Sequence, residues 1–364
     1  MKIIILTDQL HTHGGIEKLV TQKSNYWTDV FDFDVKIITT NQEQKPFTYK
    51  LSKKVGFVDL AIKYNLKQSF FTFFNILRII QNFYKIQRLV FQEKPDFILV
   101  ASHIPITYLL PFIKTKAKII KEFHFSKYNQ KNSFKERIFN FIERKYFRLI
   151  LLSEEESGFY NLKNKMVIPN PVIIPKIKIK NISQRSNTAI AILRYAPVKN
   201  LESMISVWEK FQIQNPNWQL LIYGTKKGNY FEKIQKLVKE KNLESSIQFK
   251  GKTNNVSLEL NNAKLLLMTS HQECFPMVIL EANACGVPVI SFDCPTGPRN
   301  IINNNIDGVL VENKNEKRMV NVLNYLAQNQ SEIQRLSNGA IKNAKKFELE
   351  KVMNIWKSKI FNNR

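Results

Sequence analysis

The stretch Glu273-Cys-Phe-Pro-Met-Val-Ile-Leu-Glu281 follows the apolar run Lys264–Met268, which reads as a strand. It therefore lies at the carboxyl end of a sheet, where open α/β folds bind their ligands. The fixed φ of Pro276 suits the first residue of a helix. Phe275 before it has no side-chain oxygen with which to cap that helix. The first free amides, from Met277 and Val278 onward, are left for another acceptor, and a phosphate would serve. Glu281 sits further along the helix with its side chain tilted back toward that end. Two carboxylates flanking an anion site suit a ligand that is part phosphate and part polyol: carboxylates accept from sugar hydroxyls while amides hold the diphosphate. The simpler alternative is that both glutamates only favour the positive end of the helix.

Working outward, strand and helix patterns alternate on both sides of this stretch. The first half opens on a strand, Lys2–Leu6, a loop with Gly14 and Gly15, and a helix from Glu17. Further strands are read at Val35–Thr39, Phe97–Ala101, Lys118–Glu122, Leu149–Leu152 and Met166–Ile168, with a helical pattern over Phe70–Phe91. Pro169, Pro171 and Pro175 break the rhythm, so Pro169–Ser183 reads as a linker. The pattern then restarts. Thr188–Leu193, Trp218–Tyr223, Ile247–Phe249, Lys264–Met268, Val289–Phe292 and Val309–Val311 read as strands, with helices at Leu201–Gln214 and Tyr230–Lys241. The expected fold class is α/β, as two Rossmann-like domains, 1–168 and 169–348, facing a central cleft. The last helical stretch, within 349–364, has no strand after it and is expected to pack back on the first domain.

With 364 residues, 44% of them hydrophobic, the chain can fill a core in each half. Cys274, Cys285 and Cys294 are too few for a disulfide framework and too widely spaced for a metal knuckle; they read as reduced thiols of a cytoplasmic protein. Asp32-Phe-Asp34 has an Asp-x-Asp spacing known from metal sites. It precedes a strand, at the edge of the sheet away from ligands, so it reads as a solvated turn and no metal is expected.

The net charge of +25 is shared by both halves and is not a basic tail. Lys114–Arg148 concentrates it, with eleven Lys or Arg against three Glu. Either coding bias toward lysine accounts for this, or a positive face is held against anionic lipid or an anionic substrate. No nucleic-acid motif accompanies the charge, so nucleic acid is not an expected partner. Tyr64–Phe91 mixes Phe70, Phe71, Phe73 and Phe74 with Lys67, Arg78, Lys85 and Arg88. Taken alone it suits a helix packing its phenylalanine face on a sheet. Together with Lys114–Arg148 it suggests peripheral attachment to the inner face of the cytoplasmic membrane.

Glu273 and Glu281 match the Glu-x7-Glu pattern of family 4 retaining glycosyltransferases of the GT-B fold. The continuation through Gly286-Val-Pro-Val, Asp293-Cys-Pro-Thr-Gly-Pro-Arg299 resembles members that build bacterial surface polysaccharides. The resemblance extends, more thinly, over nearly the whole chain. Arg194-Tyr-Ala-Pro-Val-Lys199 is similar to the family's Arg-x4-Lys, and such a pair of cations would neutralise a departing diphosphate. Gly251 with Val256 resembles the turn along the nucleotide, and Gly14-Gly15 with Glu17 the first-domain glycine loop. His124, in Glu122-Phe-His-Phe-Ser126, matches a histidine near the transferred sugar, and His103 is a weaker candidate. His11, His13 and His271 read as loop residues. This sequence departs from the pattern at Leu193, Cys274 and Asn300, and has Gly224-Thr-Lys-Lys-Gly228 for the usual Gly-Asp-Gly turn. Sugar choice and contacts to the base are the properties these departures affect.

What the resemblance implies is a metal-independent transferase. Its donor is a nucleotide diphosphate sugar as co-substrate, with uracil the base by family habit and no other cofactor. Glu273 and His124 would orient the sugar, Arg194 and Lys199 hold the diphosphate, and Glu281 take the ribose. A glycan or lipid-linked oligosaccharide acceptor, in capsule or lipopolysaccharide assembly, completes the expectation. A nucleotide-sugar epimerase on the same architecture would need donor but no acceptor. A catalytically silent scaffold would be expected to have lost Arg194 and Lys199, which are present.

Overall fold

The computed structural model describes residues 1–65, 68–69, 72–101, 104–128 and 134–362, with side chains 134–137 left aside. His103, Lys67, Phe70 and Phe71 lie outside the described residues. The chain divides into two compact units, Met1–Pro169 with Met353–Arg364, and Asn170–Val352.

The first unit is built on seven parallel strands: β1 (Lys2–Thr7), β2 (Asp34–Thr39), β3 (Gly56–Asp59), β4 (Phe97–Val100), β5 (Lys118–Glu122), β6 (Arg148–Leu151) and β7 (Lys165–Val167). Their order in space is β3-β2-β1-β4-β5-β6-β7. Ile3, Ile4, Ile5 and Leu6 of β1 are all fully buried, the continuous apolar run of a strand covered on both faces. Helices Gly15–Asp29, Phe73–Glu93, Phe134–Glu143 and the single turn Glu154–Gly158 connect the strands. The order reverses between β1 and β4, so the carboxyl ends of those two strands flank a switch point of the kind where doubly wound sheets bind ligands.

The second unit repeats the plan with six parallel strands: β8 (Ser186–Ile192), β9 (Gln219–Tyr223), β10 (Ile247–Gly251), β11 (Ala263–Met268), β12 (Val289–Phe292) and β13 (Gly308–Val311). They are ordered β10-β9-β8-β11-β12-β13, with the switch point between β8 and β11. Trp208 and Phe211 of the Leu201–Gln214 helix are fully buried against this sheet, in a cluster that runs on to Leu323 and Leu336.

The end of the chain is held in two ways. Val172 N donates to Phe347 O (2.7 Å) and Leu349 N to Val172 O (2.9 Å), which keeps Leu349–Val352 with the second unit. From Met353 the chain belongs to the first. Trp356 and Phe361, the latter in a π-helical turn Lys357–Phe361, pack edge-on against Trp27 with ring centroids 5.4 and 5.1 Å away.

The helix read at Phe70–Phe91 is described as Phe73–Glu93, and its faces differ from an ordinary sheet-packing arrangement. Asn75 and Asn82 point inward, where Asn75 bonds the backbone of Asn65 and Ser69 and Asn82 donates to the Tyr64 hydroxyl at 2.9 Å. Phe73 and Phe74 are exposed instead.

Candidate functional site

The switch point of the second unit brings two loops together. After β8 the chain runs through Leu193–Asn200, ending in a 3-10 turn at Pro197–Lys199. Asn200 there has φ 49°, a left-handed conformation that asparagine tolerates better than most residues. After β11 comes Thr269–Pro276. Thr269 Oγ1 donates to Asn200 O (2.8 Å), and His271 N donates to Val198 O (2.8 Å), so the loops are stitched side by side. His271 is thus a loop residue used through its backbone.

That stitching sets Lys199 against Glu273. The ammonium lies 2.6 Å from Glu273 Oε1, which also accepts from Ser270 Oγ at 2.7 Å. The two side chains are 22% and 11% exposed, so the pair is shielded yet reachable from solvent. The Glu273 backbone is fixed by the loop after β12: Glu273 N donates to Pro295 O (2.8 Å), and Thr296 N and Gly297 N donate to Glu273 O (2.7 and 3.1 Å). Gly297 allows this approach. A Cβ there would lie 2.6 Å from Pro276 Cδ and 2.9 Å from Glu273 Cβ. Gly297→Ala is therefore expected to displace the Glu273 loop and lower the rate of any chemistry there roughly 100-fold, as small misplacements at reacting centres do. Steady-state kinetics beside circular dichroism checks this, since the fold should be retained.

The helix that follows runs Met277–Ala284. Pro276 is its N-cap, with φ −69° and ψ 114°, and not its first helical residue as the sequence suggested. The cap is one residue later than read, and it likewise carries no capping oxygen. The amides of Met277 and Val278 have no acceptor among the described residues. Phe275 takes part only through its backbone: its ring is buried near that of Phe347, and its carbonyl accepts from Asn170 Nδ2 at 3.5 Å. Glu281 is half-buried one helical turn on from Met277, hence on the same face.

Arg194 is exposed at the end of β8 and has no ion-pair partner among the described residues. Gly251 ends β10, two strands from β8, and Val256 opens the helix Val256–Asn262 that follows. Gly251 has φ +83°, which disfavours any side chain there. Gly224 links these strand ends: its N–H donates to Gly251 O (2.9 Å), and a Cβ on it would lie 2.5 Å from Leu193 O. Sequence reading noted Gly224 only as part of an altered turn. Ser270 was missed, and Thr296 was read only as part of a resembling string; their roles are hydrogen bonds to the Glu273 side chain and backbone that no spacing signals.

In the first unit, Gly15 begins the Gly15–Asp29 helix with Gly14 as an uncapped N-cap in extended conformation. The preceding loop is organised by Gln9, which sequence reading also missed. Its Oε1 accepts from His11 N and Thr12 N (2.7 and 2.9 Å), and its amide nitrogen reaches Thr12 and Glu17. His124 follows β5. Its side chain is 6% exposed, with Nε2 3.7 Å from Glu122 Oε2, and neither atom has a closer partner. Glu122 is in turn ion-paired with Lys23 from the Gly15–Asp29 helix, both fully buried. Burial would push the Glu122 carboxyl up, but the Lys23 ammonium and His124 override it and hold it down to about 2.

All three cysteines are buried and in no disulfide, and burial pushes the Cys294 thiol up to about 12. Asp34 opens β2 at its amino end, 3.5 Å from the Lys2 ammonium. Among the described residues no helix is long and apolar enough to cross a membrane.

Residues 173–347 match the family model for glycosyl transferases group 1. An uncharacterized glycosyltransferase of Haemophilus influenzae is 24% identical over 94% of this chain and 95% of its own length. The amylovoran biosynthesis glycosyltransferase AmsD of Erwinia amylovora is 23% identical over 98% of both chains. Among solved structures, a TarM mutant of S. aureus in complex with fondaparinux, alpha-GlcNAc-glycerol and UDP superposes with a TM-score of 0.77, at 17% identity and 98% coverage of both chains. With the two parallel α/β sheets, these matches settle the class: the chain is a glycosyltransferase of the GT-B fold.

Proposed function

We propose that the enzyme is a retaining, metal-independent transferase of family 4 that moves a hexose or N-acetylhexosamine from a UDP-sugar to a glycan acceptor. The acceptor is a lipid-linked oligosaccharide of capsule or lipopolysaccharide assembly, met at the anionic inner face of the cytoplasmic membrane. The observation that carries the reading is the Lys199–Glu273 pair at the β8–β11 switch point, beside the unpartnered amides of Met277 and Val278. Similarity to AmsD, named for amylovoran biosynthesis, supports a surface polysaccharide. The UDP in the TarM complex supports the donor.

In this reading Lys199, Arg194 and the helix amides hold the diphosphate, and Glu281 accepts from the ribose hydroxyls. Glu273 accepts from hydroxyls of the transferred sugar through the carboxylate edge that Lys199 and Ser270 leave open. Gly251 and Val256 lie along the nucleoside. As the bond from the anomeric carbon to the diphosphate breaks, the acceptor oxygen bonds to the same face, and the departing phosphate oxygen takes the acceptor proton. The cations stabilise the charge that grows on the diphosphate, so neither a protein nucleophile nor a cofactor is needed. In the first unit the Gly15 loop is the candidate group for the acceptor, and His124 the candidate that orients the transferred sugar.

Glu273→Gln tests the coupling. The amide keeps a hydrogen-bonding oxygen for Lys199 but removes the negative charge that neutralises it, which leaves more positive field for a diphosphate. UDP binding is expected to hold or tighten a few-fold while kcat falls about 100-fold. Weaker UDP binding by calorimetry, with kcat unchanged, would remove Glu273 from the sugar side of the site.

A further inference from the structure

The Phe73–Glu93 helix carries apolar residues on two faces. One, with Ile79, Phe83, Ile86 and Val90, packs into the core of the first unit. The other turns outward. Phe73, Leu77, Ile80, Tyr84 and Phe91 follow one another at steps of four, three, four and seven residues, which places them within a narrow arc of the helix. All five are exposed, Phe73, Tyr84 and Phe91 by 78%, 67% and 75%. The stripe is about 27 Å long at the helical rise per residue.

It does not end at the helix. Gln87 exchanges two hydrogen bonds with the backbone of Lys114 (2.7 and 3.0 Å), which brings the Leu110–Phe112 turn alongside. Phe112 is exposed there, and the Lys145 ammonium lies 5.6 Å from its ring and 5.0 Å from that of exposed Phe141. The apolar surface is thus contiguous and studded with cations. Arg78 stacks over Phe74, Arg88 follows Tyr84 by one turn, and Lys114 and Lys145 are exposed beside Phe112. None of Arg78, Arg88, Lys114 and Lys145 is ion-paired among the described residues, and Glu143, near Lys145, is buried against Lys121. From Leu60 to Lys121 the only acidic residues are Glu93 and Asp96, and both are engaged by Lys2.

We propose that this face docks on an anionic lipid bilayer, with the aromatic and aliphatic stripe in the headgroup–acyl boundary and the cations against lipid phosphates. The inference deepens the proposed reaction and rests on it for the reason an enzyme of lipid-linked acceptors needs a bilayer. Its physical support is separate. An apolar stripe with one-sided positive charge is what interfacial helices carry. A second copy of the chain fits worse, because a two-fold contact through this face would set its cations against their own copies.

Flotation of the full chain with vesicles tests the docking. Vesicles of phosphatidylcholine with roughly 30% phosphatidylglycerol, at about 0.1 M salt, are expected to carry the protein up, and pure phosphatidylcholine much less of it. The exposed-site variant Leu77→Ser/Tyr84→Ser/Phe91→Ser should partition about 100-fold more weakly. Arg88→Glu/Lys145→Glu should partition about tenfold more weakly. Unchanged melting temperatures would show that both variants are folded. Protein that stays unbound with the anionic vesicles overturns the proposal, as do variants that float like the wild type. So does a wild-type dimer that the serine variant dissociates without any vesicle binding. Transfer to a water-soluble acceptor, measured on the same preparations, fails only if the proposed reaction is wrong, so the two ideas can fall separately.

Discussion

Lys199→Ala is expected to lower kcat/KM about 1000-fold, or ~4 kcal/mol of transition-state stabilisation, with the fold intact. Two effects add. The substitution removes a cation from beside the departing diphosphate, and it strips Glu273 of its 2.6 Å partner. A carboxylate only 11% exposed, held by Ser270 alone, then faces an incoming anion. The loss should therefore exceed that of a lysine simply binding phosphate, and the part of it that is UDP binding should be partly recovered by removing the Glu273 charge as well. In a double-mutant cycle with Glu273→Gln, UDP binding of the double variant should exceed that of Lys199→Ala. Additive effects would mean that the two residues act on different parts of the reaction. The lysine lies in a surface turn, Pro197–Lys199, and contributes little to the core, so the melting temperature should move only slightly.

Glu122→Ala is the second large effect, and it concerns stability. Lys23 and Glu122 are 2% and 4% exposed, so the substitution leaves a buried ammonium without its counter-charge, next to the Trp356 ring 4.9 Å away. Breaking a buried pair in this way costs about 3–5 kcal/mol. Replacing both partners, as Lys23→Met with Glu122→Leu, should restore most of it, because the desolvation of both charges is then avoided. Urea unfolding of the three proteins checks the order. The pair also sets an acid limit. The Glu122 carboxyl is depressed in the folded state to about 2, below its unfolded value. Its contribution is therefore fully present above the unfolded pKa near 4.3 and is lost as pH falls from there toward about 2. Wild-type stability should drop across that window by more than that of the double variant.

How much of this the sequence shows depends on the range over which each feature is decided. The parallel strands with continuous apolar runs, such as Ile3–Leu6 and Leu265–Met268, announce themselves because burial on both faces leaves little room for polar residues. β3 does not: Gly56–Asp59 is a four-residue edge strand, half-buried throughout, with a glycine and an aspartate at its ends. At the site, the glutamate spacing and the uncapped helix start are local and readable. The Lys199–Glu273 contact joins residues 74 apart, and Lys23–Glu122 residues 99 apart, so only the fold brings them together. Lys23 lies between Gln22 and Ser24 on a helix and resembles a solvated residue until Trp27, Trp356 and Phe361 close over that region. The Phe73–Glu93 helix misleads in the opposite sense. Asn75 and Asn82 are buried, bonded to Asn65, Ser69 and Tyr64, while Phe73, Phe74 and Phe91 face outward, a division that periodicity of hydrophobic residues alone does not reveal.

The central claim is that donor chemistry takes place at the Lys199–Glu273 pair. It is tested most directly by product analysis of the wild type and the Lys199→Ala/Glu273→Ala variant, each incubated with UDP-sugars and lipid-linked oligosaccharide. The wild type should release one UDP for each sugar added to the acceptor, with the anomeric configuration kept and no change in donor when acceptor is left out. The variant should give neither product. Transfer by the variant at the wild-type rate, or an epimerised donor formed by the wild type without acceptor, would contradict the account.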